Sequence, residues 1–227
     1  MLAEKHSRIV EIVGPAGAGK TTLYRALSHH NQSVQPGNFP DVRQLSNLPF
    51  FFWNSLQISP ALLGLPKNNS RKLTRRELAW LSILRGWPDK LDQGLDQNKI
   101  IVLDQGPVYL LTETSEFGPD YLREQIAKKF WDGFYSRWAN ALDMIIWLDT
   151  ADIDLLNRIR TREKEHIIKN ESAETTFEFL ARYRKAYDRI ITNLTTINKN
   201  LKVRRFDTAK NTTEEIAIQL LYELGSI

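Results

Sequence analysis

Gly14-Pro15-Ala16-Gly17-Ala18-Gly19-Lys20-Thr21 spells G-x-x-x-x-G-K-[ST] in full, and the residues on either side decide how it is read. Upstream, Arg8-Ile9-Val10-Glu11-Ile12-Val13 is apolar and β-branched, the pattern of a buried strand. Downstream, Thr22-Leu23-Tyr24-Arg25-Ala26-Leu27 suits the opening turns of a helix. In a strand–loop–helix setting the glycines let successive backbone N–H groups turn inward onto phosphate oxygens, and the helix N-terminus adds partial positive charge. Residues 14–22 are therefore expected to cradle an oligophosphate, Lys20 reaching its β- and γ-phosphates and the Thr21 hydroxyl ligating Mg²⁺. A nucleoside triphosphate is the ligand this implies.

The rest of the chain alternates apolar strands with helical stretches. Lys99-Ile100-Ile101-Val102-Leu103-Asp104 and Asp143-Met144-Ile145-Ile146-Trp147-Leu148-Asp149 read as buried strands, residues 201–206 as a last one, and a short strand is expected near Val34. Helical spacing covers 71–84, 121–142, 153–162, 177–194 and 213–224, the last capped by Thr212 or Thr213, and a short helix is expected after Pro88. Residues 45–65 are aromatic and broken by proline. Such alternation calls for a three-layer α/β/α fold with a parallel sheet of about five strands. Ligands of such sheets bind at the carboxyl ends of the strands, which here hold the glycine-rich loop, Asp104, Asp149 and Asp207. A chain of 227 residues, 42% hydrophobic and 26% charged, accommodates one such domain over 1–227, with a substrate-binding insertion near 40–95 and a mobile lid near 158–175.

Composition excludes several alternatives. Without cysteine there are no disulfides and no thiolate metal sites. The first eight residues lack the apolar core of a signal peptide, and the longest apolar run, 144–148, is strand-sized rather than membrane-spanning, so a cytoplasmic protein is expected. The net charge of +4 and pI near 9.2 come from two clusters, Arg71, Lys72, Arg75 and Arg76, and Arg158, Arg160, Arg162 and Lys164. A polyanionic small ligand accounts for such clusters as well as DNA does, and no nucleic-acid motif accompanies them, so nucleic acid is not the expected partner. Homodimerisation stays open.

Asp104 ends an I-I-V-L-D strand, the pattern of a carboxylate that holds Mg²⁺ beside a phosphate loop. Arg158 and Arg162 fall one helical turn apart on one face, placed to close over a triphosphate and stabilise the transferred phosphoryl group, whereas Arg160 points elsewhere. A solvated basic face paired with Glu163 and Glu165 is the bland alternative for this run.

The order of these parts resembles the thymidylate kinase and deoxynucleoside kinase families of P-loop kinases. The likeness runs through the phosphate loop, the Arg in L-S-I-L-R (81–85), the strand-end triplet Asp104-Gln105-Gly106, the strand leading to L-L-N-R-I-R-T-R, and the Asp207-Thr208-Ala209 loop. It implies ATP and Mg²⁺ as cofactors, Arg158 and Arg162 as lid arginines, Asp207 and Ala209 against the adenine, and Arg85 on the acceptor. Two departures concern the acceptor. Gln105 stands where those families carry an Arg that contacts it, and Leu81 where thymidylate kinases place a stacking aromatic. Phosphoryl transfer is thus the better-supported half of the expectation, with a nucleotide or nucleoside as acceptor. Phe51 and Trp53, within Phe50-Phe51-Phe52-Trp53, are candidates to stack on a base or sugar. A general base for a hydroxyl acceptor falls to Asp41, the only carboxylate between the first helix and Glu77, or to Asp104. A sugar or metabolite kinase, and a nucleotide-hydrolysing switch, are the rival readings; no N-K-x-D tetrapeptide favours a GTPase-type switch. His29, His30 and His166 form no metal-ligand pattern.

Overall fold

The computed structural model describes residues 8–66, 70–93, 99–163 and 166–225. Residues 1–7, and Lys164 and Glu165 of the basic run, lie outside that set. Five parallel strands form one sheet in the order β2-β3-β1-β4-β5: β1 Arg8–Val13, β2 Val34–Pro36, β3 Ile100–Leu103, β4 Met144–Asp149 and β5 Lys202–Asp207. Val10 is the centre of the register, opposite Val102 on one side and Met144 on the other. The alternation of side chains feeds two cores. Ile9, Val13, Leu103, Ile145 and Trp147 face one way, and Val10, Ile12, Val102, Ile146 and Leu148 the other. Eight helices cover these faces among the described residues: α1 Lys20–His30, α2 Leu48–Leu63, α3 Arg75–Gln93, α4 Pro107–Ser115, α5 Lys128–Ala141, α6 Asp152–Thr161, α7 Ala173–Ile197 and α8 Thr213–Glu223. α1, α6 and α8 pack on the second face, and α2, α3, α4 and α5 on the first. At the β5 edge, Lys202, Arg204 and Arg205 keep charge on an otherwise pairable strand, and the Arg205 guanidinium lies 4.1 Å over the Trp147 ring.

Four local expectations are corrected. α3 runs straight through Pro88, so no separate helix follows that residue. Proline cannot donate to the carbonyl four residues back, and the Leu84 oxygen left over accepts instead from the buried Trp138 indole at 2.9 Å. Residues 45–65 are not broken: α2 is continuous, with Pro49 in its first turn, where a missing N–H costs nothing, and Pro60 in its last. The helix expected over 121–142 begins only at Lys128, after two 3-10 turns at Asp120–Leu122 and Gln125–Ala127 that the Trp131 indole ties down through the Leu122 carbonyl, 2.8 Å. Between Asp104 and these turns lies α4, which the helical spacing did not reveal. The closing helix carries a full capping box, Thr212 with Glu215. No helix among the described residues is long and apolar enough to cross a membrane.

Candidate active site

β1 ends where the loop begins, and the crevice between β1 and β3 is where the strand order reverses, so the loop sits at the switch point of the sheet. Gly14 takes φ +150, and a Cβ there would lie 2.2 Å from the Leu148 carbonyl oxygen; only glycine lets the chain pass β4 so closely. Gly19 adopts the left-handed conformation at the N-cap of α1, φ 91, leaving the helix's first N–H groups directed at the cleft. Lys20 folds back over the loop and donates to the carbonyls of Gly14, 2.7 Å, and Pro15, 3.0 Å. That geometry leaves the ammonium on the rim of the cradle.

Thr21 Oγ1 donates to Asp104 Oδ2 at 3.1 Å, bringing the two expected metal ligands together across the β1–β3 crevice. A hydroxyl and a carboxylate are the hard oxygens Mg²⁺ takes while it keeps most of its waters. Among the described residues no group of three or more His, Asp or Glu side chains gathers into an all-protein metal cage. Beneath the pair lies a residue not anticipated as part of the site, Glu11. Its side chain is fully buried and accepts from the N–H groups of Val108, 2.9 Å, and Tyr109, 3.2 Å, at the N-terminus of α4. Burial pushes its carboxyl up to about 8 against those hydrogen bonds. Glu11 thereby joins the strand of the phosphate loop to the turn that carries Asp104 and Gln105. Gly106 is required at that turn, since a Cβ would come within 2.6 Å of the Glu11 carboxyl carbon. The signal available in sequence was one acid inside an otherwise apolar strand.

A cleft of about 500 Å³ gathers the loop, Asp104, Gln105, Arg158 and Arg162 around one space. Arg158 spans it from α6, donating to Thr208 Oγ1 at 2.8 Å and to the carbonyls of Thr208 and Gly17, 3.3 and 3.4 Å. Arg162 follows one turn later, and its buried Nε has no hydrogen-bond partner. Beside the loop a groove of about 370 Å³ runs between Gly19, Thr22, Arg158, Thr208, Asn211 and Ile216. Asp207 and Ala209 do not line it. The Asp207 carboxylate turns back onto the Ala209 N–H, 3.0 Å, which holds it below the usual carboxylate range, and it stabilises the loop from behind. Asp149, the other strand-end acid, is bound bidentately by Arg184 of α7 at 2.7 and 2.9 Å. That pair, which Asp152 extends, locks α7 to the end of β4.

Away from the loop the cleft is walled by Gln105, Tyr109, Tyr183 and Tyr187. Tyr183 donates to Glu113, and burial raises the affinity of both for protons; burial together with Glu113 pushes Tyr109 up to about 12. The Trp80 ring meets Tyr109 at 6.5 Å and also lines a second, apolar hollow of about 690 Å³ with Phe39, Asp41, Phe51 and Ile83. Asp41 and Phe51 thus line this hollow, while Trp53 and Arg85 do not. Trp53 is two residues, about 200° of helix, beyond Phe51, and is 59% exposed. Arg85 is turned into the seam beside Arg137 and Asp89, where burial and the Arg137 charge lower its proton affinity. Trp80 and Tyr109 were missed; the aromatic at Trp80 lies one residue before Leu81, the position compared with the stacking ring of thymidylate kinases.

No protein-family model matches the chain, and neither does any curated protein. Solved structures do. Thymidylate kinase from Candida albicans superposes with a TM-score of 0.57 at 16% identity, covering 97% of this chain and 92% of that one. The YorR protein in complex with phosphorylated GDP from Bacillus subtilis gives 0.50 at 17%, covering 96% and 95%. Deoxyadenosine kinase from M. mycoides with bound dATP gives 0.50 at 15%, covering 96% and 100%. At such identities the likeness is one of fold, and it runs the length of both partners. With its five-stranded parallel sheet, its loop at the switch point and helices on both faces, the chain has the fold of the P-loop kinases of nucleosides and nucleotides, resembling thymidylate kinase and deoxyadenosine kinase.

Proposed function

We propose that the protein is a phosphotransferase that moves the γ-phosphoryl group of Mg²⁺-bound ATP to a small acceptor, a nucleotide or nucleoside, in the cytoplasm. The observation that carries this is a cleft that holds the phosphate loop, with a second, apolar hollow next to it that can take an acceptor. Lys20, the Thr21–Asp104 pair and Arg162 surround one end of the cleft, Tyr109 walls it, and Trp80, in edge contact with Tyr109, lines the apolar hollow. A pure hydrolase needs only the first.

Each part has a role in that reading. The loop N–H groups and Lys20 bind the β- and γ-phosphates and fix their orientation. Thr21 and Asp104 would hold Mg²⁺, which when bound neutralises charge on the phosphate oxygens. Arg162 offers its unpartnered Nε to the phosphoryl group, a contact that strengthens as charge spreads over the equatorial oxygens. Arg158 joins the phosphate loop to the base groove and orients the donor. Residues 158–175 act as the lid that excludes water.

The reading is tested by ATP turnover with the purified chain and Mg²⁺, adding nucleosides and nucleotides one class at a time. Acceptor-stimulated ADP formation with a matching phosphorylated product is expected. ADP and inorganic phosphate released at one rate whatever is added would overturn it in favour of a hydrolysing switch.

A further inference from the structure

We infer that the acceptor is an uncharged, ring-bearing hydroxyl compound rather than a phosphomonoester, an inference that rests on the phosphotransferase reading. The distribution of charge in the cleft carries it. The cations that line the cleft among the described residues, Lys20, Arg158 and Arg162, belong to the loop and lid side. The opposite wall, next to Asp104, is Gln105, Tyr109, Tyr183 and Tyr187, with the Glu113 carboxyl behind it in hydrogen bond with Tyr183. An acceptor phosphate brings almost two negative charges close to the γ-phosphate and needs guanidinium or ammonium groups of its own. None of the basic residues on the acceptor side lines the cleft itself. Arg71 forms a two-pronged ion pair with Glu77, and Arg76 lies 4.4 Å over the Trp80 ring, its charge set against Glu113. Arg75 is exposed and, like Arg76, lines the apolar hollow and not the cleft.

An uncharged hydroxyl compound meets the opposite situation. Phe39, Phe51 and Trp80 offer an apolar hollow for a flat ring, and Asn38 and Asp41 supply polar groups at its edge. The phenol oxygens of Tyr109 and Tyr183 belong to the residues that line the cleft with Asp104, and phenol oxygens can receive hydroxyl hydrogens. In the step itself the acceptor oxygen forms a bond to the γ-phosphorus while the bond from that phosphorus to the β–γ bridging oxygen breaks. ADP leaves with the bridging electrons, and the hydroxyl proton passes to solvent water.

The test compares kcat/KM for nucleosides, uncharged sugars and nucleoside 5′-monophosphates with Mg²⁺-ATP, after calorimetry has established ATP binding. At least a tenfold preference for an uncharged class over the monophosphates is expected, and which of the two uncharged classes turns over identifies the source of the hydroxyl. Equal or better use of monophosphates overturns the inference while leaving phosphoryl transfer intact. Absence of ATP binding sinks the phosphotransferase reading itself, and the inference with it. A second arm reads the wall directly. Glu113→Ala should raise the acceptor KM about tenfold with the ATP dissociation constant unchanged, and Glu113→Gln should restore much of it through the bond to Tyr183. An acceptor KM that Glu113→Ala does not move removes the wall from the argument and overturns the inference.

Discussion

The two ends of the cleft are built on different principles. The phosphate end is built first from backbone: one loop contiguous in sequence, three glycines at positive φ and a helix N-terminus, to which Lys20, Thr21, Asp104, Arg158 and Arg162 add side chains. The acceptor end is all side chain, assembled from the segment after β2 and from α2, α3, α4 and α7, which no short stretch of chain brings together. A backbone cradle tolerates change around it and grips one chemical group. A wall of dispersed side chains changes its ligand when one helix rotates or one residue is exchanged. The difference predicts that substitutions at the first end abolish the reaction, whereas those at the second redirect or weaken it.

The largest effect should follow Lys20→Ala, with phosphoryl transfer falling about a thousandfold or more while the circular-dichroism spectrum is unchanged. If acceptor-dependent turnover persisted, the phosphate end would not be the reacting end. Arg162→Ala should lower kcat about a hundredfold and leave ATP affinity within a few-fold, because its contact tightens in the transition state; steady-state kinetics beside calorimetry distinguishes this from simple loss of binding. Trp80→Ala, at the other end, should raise the acceptor KM about tenfold without altering the KM for ATP, since it removes aromatic contact area from the hollow and from Tyr109. Equal changes in both constants would mean that the two ends are not separable.

The smallest effect concerns the tie between them. Glu11 is held protonated well above the ordinary carboxylate range, so the folded protein binds one more proton than the unfolded chain between about pH 4.5 and about 8. Its contribution to stability is complete below that window and falls as pH rises through it, by at most about 1.4 kcal/mol per unit. Glu11→Gln mimics the protonated group and should flatten that slope, measured as urea midpoints across the window. A parallel pH dependence in both proteins would show that Glu11 is ionised in the native state.

Much of the first end was legible in the chain. A buried parallel strand is an uninterrupted apolar run, and the loop between such a strand and a helix is a local pattern, so β1, β3, β4 and the loop could be read directly. α4 was not, because seven of its nine residues are buried and it shows no polar face to set a period. α2 was obscured by two prolines at positions where a helix tolerates them, and α3 by one whose lost hydrogen bond a distant tryptophan replaces. Arg85 shows the limit of position along a helix as a guide. Five residues beyond Trp80, it is carried about 140° round the axis, into the seam with α5 instead of the hollow.

Arg158 carries a consequence for how the donor is taken up. One guanidinium simultaneously grips the strap of residue 208 and the carbonyl of Gly17. A ligand that fills only the groove beside the loop would already disturb the neighbourhood of Gly17, and one that seats only on the loop would disturb the strap. Adenosine and tripolyphosphate, offered separately, should therefore each help the other to dock, and the intact nucleotide gains from a hinge pin that its own two halves release in concert.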